Sequence, residues 1–143
     1  EAAAAAAGGE VYLYVHSEGG DVYAGLSAYD HLRAFRGARV VTVADGFVAS
    51  AASLILLGGE RRYVMPHAHV LIHQLSTGFW GKYSELRDEM SNSTAVMQLL
   101  RAVYAARTRM KSHKIDALLE KDVVIDATRC VKLGIADEIE RGW

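Results

Sequence analysis

The stretch Gly46-Phe47-Val48-Ala49-Ser50-Ala51-Ala52-Ser53 indicates more about the fold than any other part of the chain. It follows the β-branched run Val40–Val43 and leads into the apolar run Leu54–Leu57, so it predicts a strand, a glycine turn, a serine and a helix over Ser50–Leu57. Free N–H groups and the helix dipole favour negative charge at such a point. Acyl-transfer chemistry needs a place that stabilises negative charge, because the substrate carbonyl oxygen becomes negative beside the attacking serine. A serine here is also an ordinary helix cap, so the pattern alone leaves both interpretations open.

Predicted strands and helices alternate along the rest of the chain. The predicted strands are Val11–Val15, Arg39–Val43, Arg62–Met65 and His69–Gln74. The other predicted helices are Val22–Phe35, Tyr83 to about Lys111, and Ala127–Leu133. This alternation favours parallel βαβ units with right-handed crossovers. The longest helix has an apolar stripe formed by Leu86, Met90, Met97, Leu100 and Tyr104.

Composition limits the class of protein. The chain has 143 residues, 51% of them apolar, which is enough for one domain with a core of its own. A formal net charge of −1 gives no electrostatic reason to expect binding to nucleic acid or to an anionic membrane. The single cysteine, Cys130, excludes an intrachain disulfide, suits a reducing compartment and is expected to be buried. No apolar run is long enough to span a bilayer, and we expect no signal peptide.

The first nine residues, Glu1–Gly9, contain six consecutive alanines followed by two glycines. They are interpreted as a linker, a tag or a poorly resolved segment written as alanine, and they take no part in the fold prediction. Residues 10–143 are then expected to form a single domain.

Two further side chains could complete a nucleophilic site with Ser50. His73 closes an apolar run, and Asp122 directly precedes another. Serine needs a base to be nucleophilic at neutral pH, and imidazole can take its proton and return it to a leaving amine. A carboxylate can hold the imidazole in the required tautomer. The alternatives are a histidine bonded to a backbone carbonyl and a carboxylate that faces water.

Four stretches in this order resemble the ClpP family, the proteolytic subunit of ATP-dependent Clp proteases. The family's Asn-Ser-Pro-Gly-Gly loop corresponds to His16–Gly20, and its Gly-x-Ala-Ala-Ser-Met-Gly turn corresponds to Gly46–Ala52. Its Met-Ile-His-Gln strand corresponds to Leu71–Gln74, and its terminal Asp-x-Phe…Gly-x-x-Asp block corresponds to Asp122–Asp137. The resemblance runs from about Val11 to Ile139.

This resemblance implies an α/β fold of the ClpP/crotonase-like type, a spiral of βαβ units with a protruding long handle helix. It implies a serine endopeptidase with Ser50, His73 and Asp122 as its catalytic residues. The backbone N–H groups of Gly20 and Ala51 would form the oxyanion hole. The expected substrates are unfolded polypeptides, which would be hydrolysed inside an oligomeric chamber.

The resemblance also implies partners and a location. The chain would assemble with itself into two stacked heptameric rings, fed by an AAA+ unfoldase of the Clp type in the cytoplasm, or in an organellar matrix or stroma. ATP would be used by that partner, and no cofactor or metal is expected in this subunit, since His67 and His69 lack further ligands. The family has an acidic–Arg pair that bridges the rings where this chain has Glu120-Lys121. Thr77–Gly81 is either an edge that pairs with a substrate peptide or a loop that packs Trp80 onto the long helix.

The chain departs from the family pattern at several positions. Glu18 replaces a proline, Ala51 and Ala52 replace Met-Gly, and Leu75 replaces a second proline. None of these changes removes a catalytic side chain. Two alternatives therefore remain: a Ser-Lys peptidase of the signal-peptide-peptidase type, and a non-catalytic ClpP-like ring subunit with a scaffold or binding role. His73 argues against the first.

Overall fold

Residues 9–142, which the computed structural model describes, form a six-stranded sheet with five helices. The elements are β1 (Glu10–Ser17), α1 (Val22–Ala34), β2 (Arg39–Ala49), α2 (Ala52–Gly58), β3 (Arg61–Val64), β4 (His69–Leu71), α3 (Tyr83–Arg107), α4 (Ser112–Leu119), β5 (Val124–Asp126), α5 (Ala127–Leu133) and β6 (Glu138–Ile139). The sheet order is β5-β4-β2-β3-β6, and β1 also pairs with β2. All pairings are parallel except β4 with β5, so the predicted parallel α/β class is confirmed. The proposed linker over residues 1–9 lies outside the described residues, apart from Gly9.

Strand β2 is the centre of the sheet, and it is longer than predicted. It was expected to end at Val43 before a glycine turn, but it continues to Ala49. Gly46 is a bulge inside the strand, with φ of 65°. The ring of His16 lies against it, so that a Cβ on Gly46 would be 2.5 Å from the histidine Nδ1. Glycine at position 46 therefore leaves room for the His16 ring, and the strand continues to Ala49, directly before Ser50.

Helix α2 is buried on nearly every side, as its continuous apolar sequence requires. Leu54, Leu56 and Leu57 are fully buried in the core. The hydroxyl of Thr42 on β2 is also buried, and it donates to the Leu56 carbonyl at 2.6 Å. The helix begins at Ala52, whereas the sequence predicted a start at Ser50.

Other boundaries differ by a few residues. Strand β4 ends at Leu71 rather than Gln74, and α3 ends at Arg107 rather than near Lys111. The separate helix α4 was not predicted. Helix α5 has the predicted bounds, and Cys130 within it is buried, as expected. Burial raises the pKa of the Cys130 thiol to about 12.

The long helix α3 packs on the core only over its second half. Leu100 and Tyr104 of the predicted stripe are buried, whereas Leu86 and Met90 are 43% and 68% exposed. Trp80, just before the helix, is 94% exposed, so the interpretation that packed it onto the long helix is wrong. The first half of α3 thus presents apolar side chains that this chain alone does not cover.

Candidate active site

Ser50 lies at the strand-to-helix turn that follows β2. Its N–H donates to the Leu71 carbonyl at 2.9 Å, which continues the β2–β4 pairing by one residue. Its φ is 55°, and it is the one non-glycine residue among residues 9–142 with a positive φ. Such a conformation costs a serine about 1–3 kcal/mol and is typical of a nucleophile held on a sharp turn. The alternative interpretation of Ser50 as an ordinary helix cap is wrong, because Ala51 occupies the N-cap position.

The loop after β1 packs directly against this turn. A Cβ on Gly19 would lie 2.6 Å from the Ala49 carbonyl oxygen and 2.8 Å from the Ser50 Cβ. Gly19 also has φ of 97°, and its N–H donates to the Ser17 hydroxyl at 3.1 Å. Only glycine allows the backbone to approach the serine this closely.

His73 and Asp122 are brought together by the pairing of β4 with β5. In this antiparallel pair Leu71 lies opposite Val124, so two more residues in each direction place His73 opposite Asp122. The His73 Nδ1 is 3.3 Å from the Asp122 Oδ1. Histidine therefore meets a carboxylate, and the alternative of a histidine bonded to a backbone carbonyl is not what the structure shows. Asp122 is largely exposed, with 81% of its side chain accessible.

One cavity of about 280 Å³ brings together four of the five predicted residues, namely Gly20, Ser50, Ala51 and His73. A larger neighbouring cavity, of about 890 Å³, is lined by both His73 and Asp122. Within the described part of the chain the Ser50 hydroxyl has no hydrogen-bond partner, so a bond to His73 is not formed here. Catalytic hydrogen bonds commonly tighten only when substrate is bound.

The two predicted oxyanion donors are available. Gly20 and Ala51 both line the smaller cavity. Across residues 9–142 neither backbone N–H donates to another group. Two unpaired donors beside a serine hydroxyl are what a developing negative charge requires.

Two polar residues at the site were missed by sequence reasoning. The Ser53 hydroxyl donates to the Ser50 carbonyl at 2.6 Å and contacts the Tyr104 hydroxyl at 2.7 Å. Tyr104 was assigned only to the apolar stripe of the long helix, yet it lines the same cavity as Ser50. The signal was present in part, since Ser53 lies one helical turn after the candidate nucleophile.

No group of three or more His, Cys, Asp and Glu side chains between residues 9 and 142 could hold a metal ion. No helix in that range combines the length and apolarity needed to cross a membrane.

A serine on a strained turn, in one cavity with a histidine that contacts a carboxylate, is an arrangement of the kind that serine hydrolases use. The family model for Clp protease matches residues 2–142, and the chain therefore belongs to the Clp protease family. The resemblance drawn from the four motifs is thus confirmed. The mixed α/β sheet with five helices over residues 9–142 is consistent with the ClpP-like fold, and membership supports a serine protease of the ClpP type.

Proposed function

We propose that this protein is a serine endopeptidase in which Ser50 is the nucleophile, His73 the general base and Asp122 the group that orients it. The observation that carries the proposal is the strained Ser50, at φ of 55°, in one cavity with a histidine whose Nδ1 lies 3.3 Å from a carboxylate. Because Nδ1 faces Asp122, Nε2 is the nitrogen left to act on Ser50.

The chemistry follows in two steps. His73 Nε2 takes the Ser50 proton while Oγ attacks the peptide carbonyl, and the oxygen of the tetrahedral intermediate accepts from the N–H groups of Gly20 and Ala51. The C–N bond then breaks, and His73 gives the proton to the departing amine. Water, deprotonated by His73, hydrolyses the acyl-enzyme and frees Ser50.

We further propose that the active form is a closed assembly of many copies, two stacked heptameric rings, fed with unfolded polypeptide by an AAA+ ATPase of the Clp type. Family membership and the uncovered apolar side chains Leu86 and Met90 on α3 support self-assembly. ATP would be used by the ATPase, and this subunit would need no cofactor. The buried thiol of Cys130 fits a reducing compartment, the cytoplasm or an organellar matrix or stroma.

Two alternatives differ in which residues they need. A Ser-Lys peptidase requires a lysine near Ser50, but the residues of the described chain that line the Ser50 cavity include no lysine. A non-catalytic ring subunit requires no reactive serine. The same experiment separates all three.

That experiment is covalent labelling with a fluorophosphonate probe, located by peptide mass spectrometry. We expect labelling at Ser50 and none at Ser53, which is fully buried. His73→Ala should slow labelling by about 100-fold or more, the usual scale for loss of a general base. His69→Ala, a change at an exposed histidine on β4, is the matched control and should label at the normal rate.

Persistent labelling in the His73→Ala protein would point to a different base. Absence of labelling at Ser50 in the unmodified protein would point to a non-catalytic subunit.

A further inference from the structure

A buried pair of hydroxyls lies beneath the Ser50 turn. Ser53 on α2 is fully buried, and Tyr104 on α3 is 2% exposed. Their oxygens are 2.7 Å apart, and the Ser53 hydroxyl is also 2.6 Å from the Ser50 carbonyl oxygen. The long helix is therefore joined to the candidate nucleophile by a chain of two hydrogen bonds.

The direction of these bonds is determined by the number of protons. A carbonyl oxygen can only accept, so Ser53 donates its single proton to Ser50. Tyr104 must then donate to Ser53. The two bonds point the same way and strengthen each other in a buried setting. Burial raises the pKa of Tyr104 to about 12, so the phenol keeps its proton at every pH at which a peptidase is assayed.

The Ser50 carbonyl, which accepts the last of these hydrogen bonds, belongs to the same peptide unit as the Ala51 N–H, a predicted oxyanion donor. A trans peptide is planar, and its C=O and N–H point in opposite directions. Holding the Ser50 carbonyl toward α2 consequently directs the Ala51 N–H away from α2. That N–H has no partner among residues 9–142, and Ala51 lines the cavity with Ser50 and His73.

We propose that Ser53 and Tyr104 are positioning residues that orient the Ala51 N–H for binding of the oxyanion, an inference that rests on the proposed peptidase function. Neither side chain touches the substrate carbonyl in this scheme. Tyr104 acts through Ser53, and Ser53 acts through the Ser50–Ala51 peptide.

The expected effect is moderate, because the Ser50 carbonyl also accepts from the Ser53 N–H at 2.9 Å. Loss of the hydroxyl bond would loosen the peptide without releasing it. Removing an oxyanion donor outright costs roughly 100- to 1000-fold in kcat. If the Ala51 N–H is still present but less well oriented, kcat should fall by less, on the order of 10-fold.

The test compares Tyr104→Phe, Ser53→Ala and the double variant in steady-state hydrolysis of a fluorogenic peptide. We expect kcat to fall about 10-fold in each single variant with KM changed by less than about twofold, because the interaction acts mainly in the transition state. The double variant should be no slower than the slower single variant, since Tyr104 acts through Ser53.

Thr42→Val is the matched control. Like Ser53→Ala, it removes a buried hydroxyl that donates to a backbone carbonyl, here that of Leu56 near the C-terminal end of α2. We expect it to lower stability by a comparable amount with kcat unchanged. Single variants with the kcat of the unmodified protein, or a kcat loss equal to that of Thr42→Val, would overturn the inference.

Crystal structures of Tyr104→Phe and Ser53→Ala provide a readout that does not need activity. The Ser50–Ala51 peptide should rotate or become disordered in both variants. An unmoved peptide would overturn the positioning role even in an active enzyme. If the unmodified protein proves inactive, with Ser50 unlabelled, the proposed function fails, while the peptide orientation still decides whether the hydroxyl pair holds this turn.

Discussion

Gly19→Ala should impair catalysis by pushing on the nucleophile itself. The added Cβ would lie 2.6 Å from the Ala49 carbonyl oxygen and 2.8 Å from the Ser50 Cβ. Restoring an ordinary contact of about 3.4 Å requires the loop and the serine to separate by roughly 0.6–0.8 Å. A misplacement of about 1 Å at a reacting group costs on the order of 100-fold, so we expect kcat/KM to fall by about 10- to 100-fold.

The matched control for this change is Gly142→Ala. Gly142 also has a positive φ, of 130°, but a Cβ there meets no atom within 4 Å. It therefore shares the backbone penalty of about 1–3 kcal/mol without the clash. Peptide hydrolysis is measured for both variants, and guanidinium unfolding is followed in parallel to separate activity from stability. If Gly19→Ala keeps a kcat/KM within twofold of Gly142→Ala, the close approach of this loop does not position Ser50.

Three further predictions concern assembly and stability. Short peptides should be cleaved without ATP, while a folded protein should be degraded only with the ATPase and nucleotide; unaided digestion of a native protein would contradict the chamber. Lys121→Glu reverses a charge that would help to join the rings in the proposed assembly, so it should give smaller species in sedimentation and lower peptidase activity, although each exposed pair contributes only about 0.2–1 kcal/mol. A fully assembled, fully active variant would contradict this. Tyr104 has a pKa near 10 in the unfolded chain, and burial raises the pKa of the folded residue to about 12. The free energy of unfolding should therefore fall by roughly 1.4 kcal/mol per pH unit between pH 10 and pH 12. Tyr104→Phe should show a shallower fall over the same range.

The fold class and the candidate site residues could be proposed from the sequence because they depend on local patterns and ordered motifs. Ser50 was found from the change of a β-branched run into an apolar run, and the parallel sheet from alternating strands and helices. His73 and Asp122 were found from their places beside apolar runs. Their contact was not derivable from the sequence, because it depends on the register of β4 with β5, which is the one antiparallel pair in the described sheet.

The errors have a common physical origin in contacts between distant residues. Gly46 resembles a turn residue locally, but the ring of His16, thirty positions earlier, makes it a bulge within a continuous strand. Tyr104 fits an apolar stripe by spacing, and only the fold reveals that its hydroxyl reaches Ser53. Leu86 and Met90 continue the stripe in sequence but extend past the core that covers Leu100.

The pairing of β4 with β5 also limits where this chain can gain or lose residues. His73 lies two positions after Leu71, and Asp122 lies two positions before Val124 on the opposite strand. Side chains alternate between the faces of a strand. One residue inserted or deleted between Leu71 and His73, or between Asp122 and Val124, would therefore turn His73 or Asp122 to the other face. The long connection over residues 74–121 carries no such constraint from this pairing. The β4–β5 pairing therefore tolerates length variation within that connection, whereas the spacings Leu71–His73 and Asp122–Val124 must be kept for the histidine to face its carboxylate.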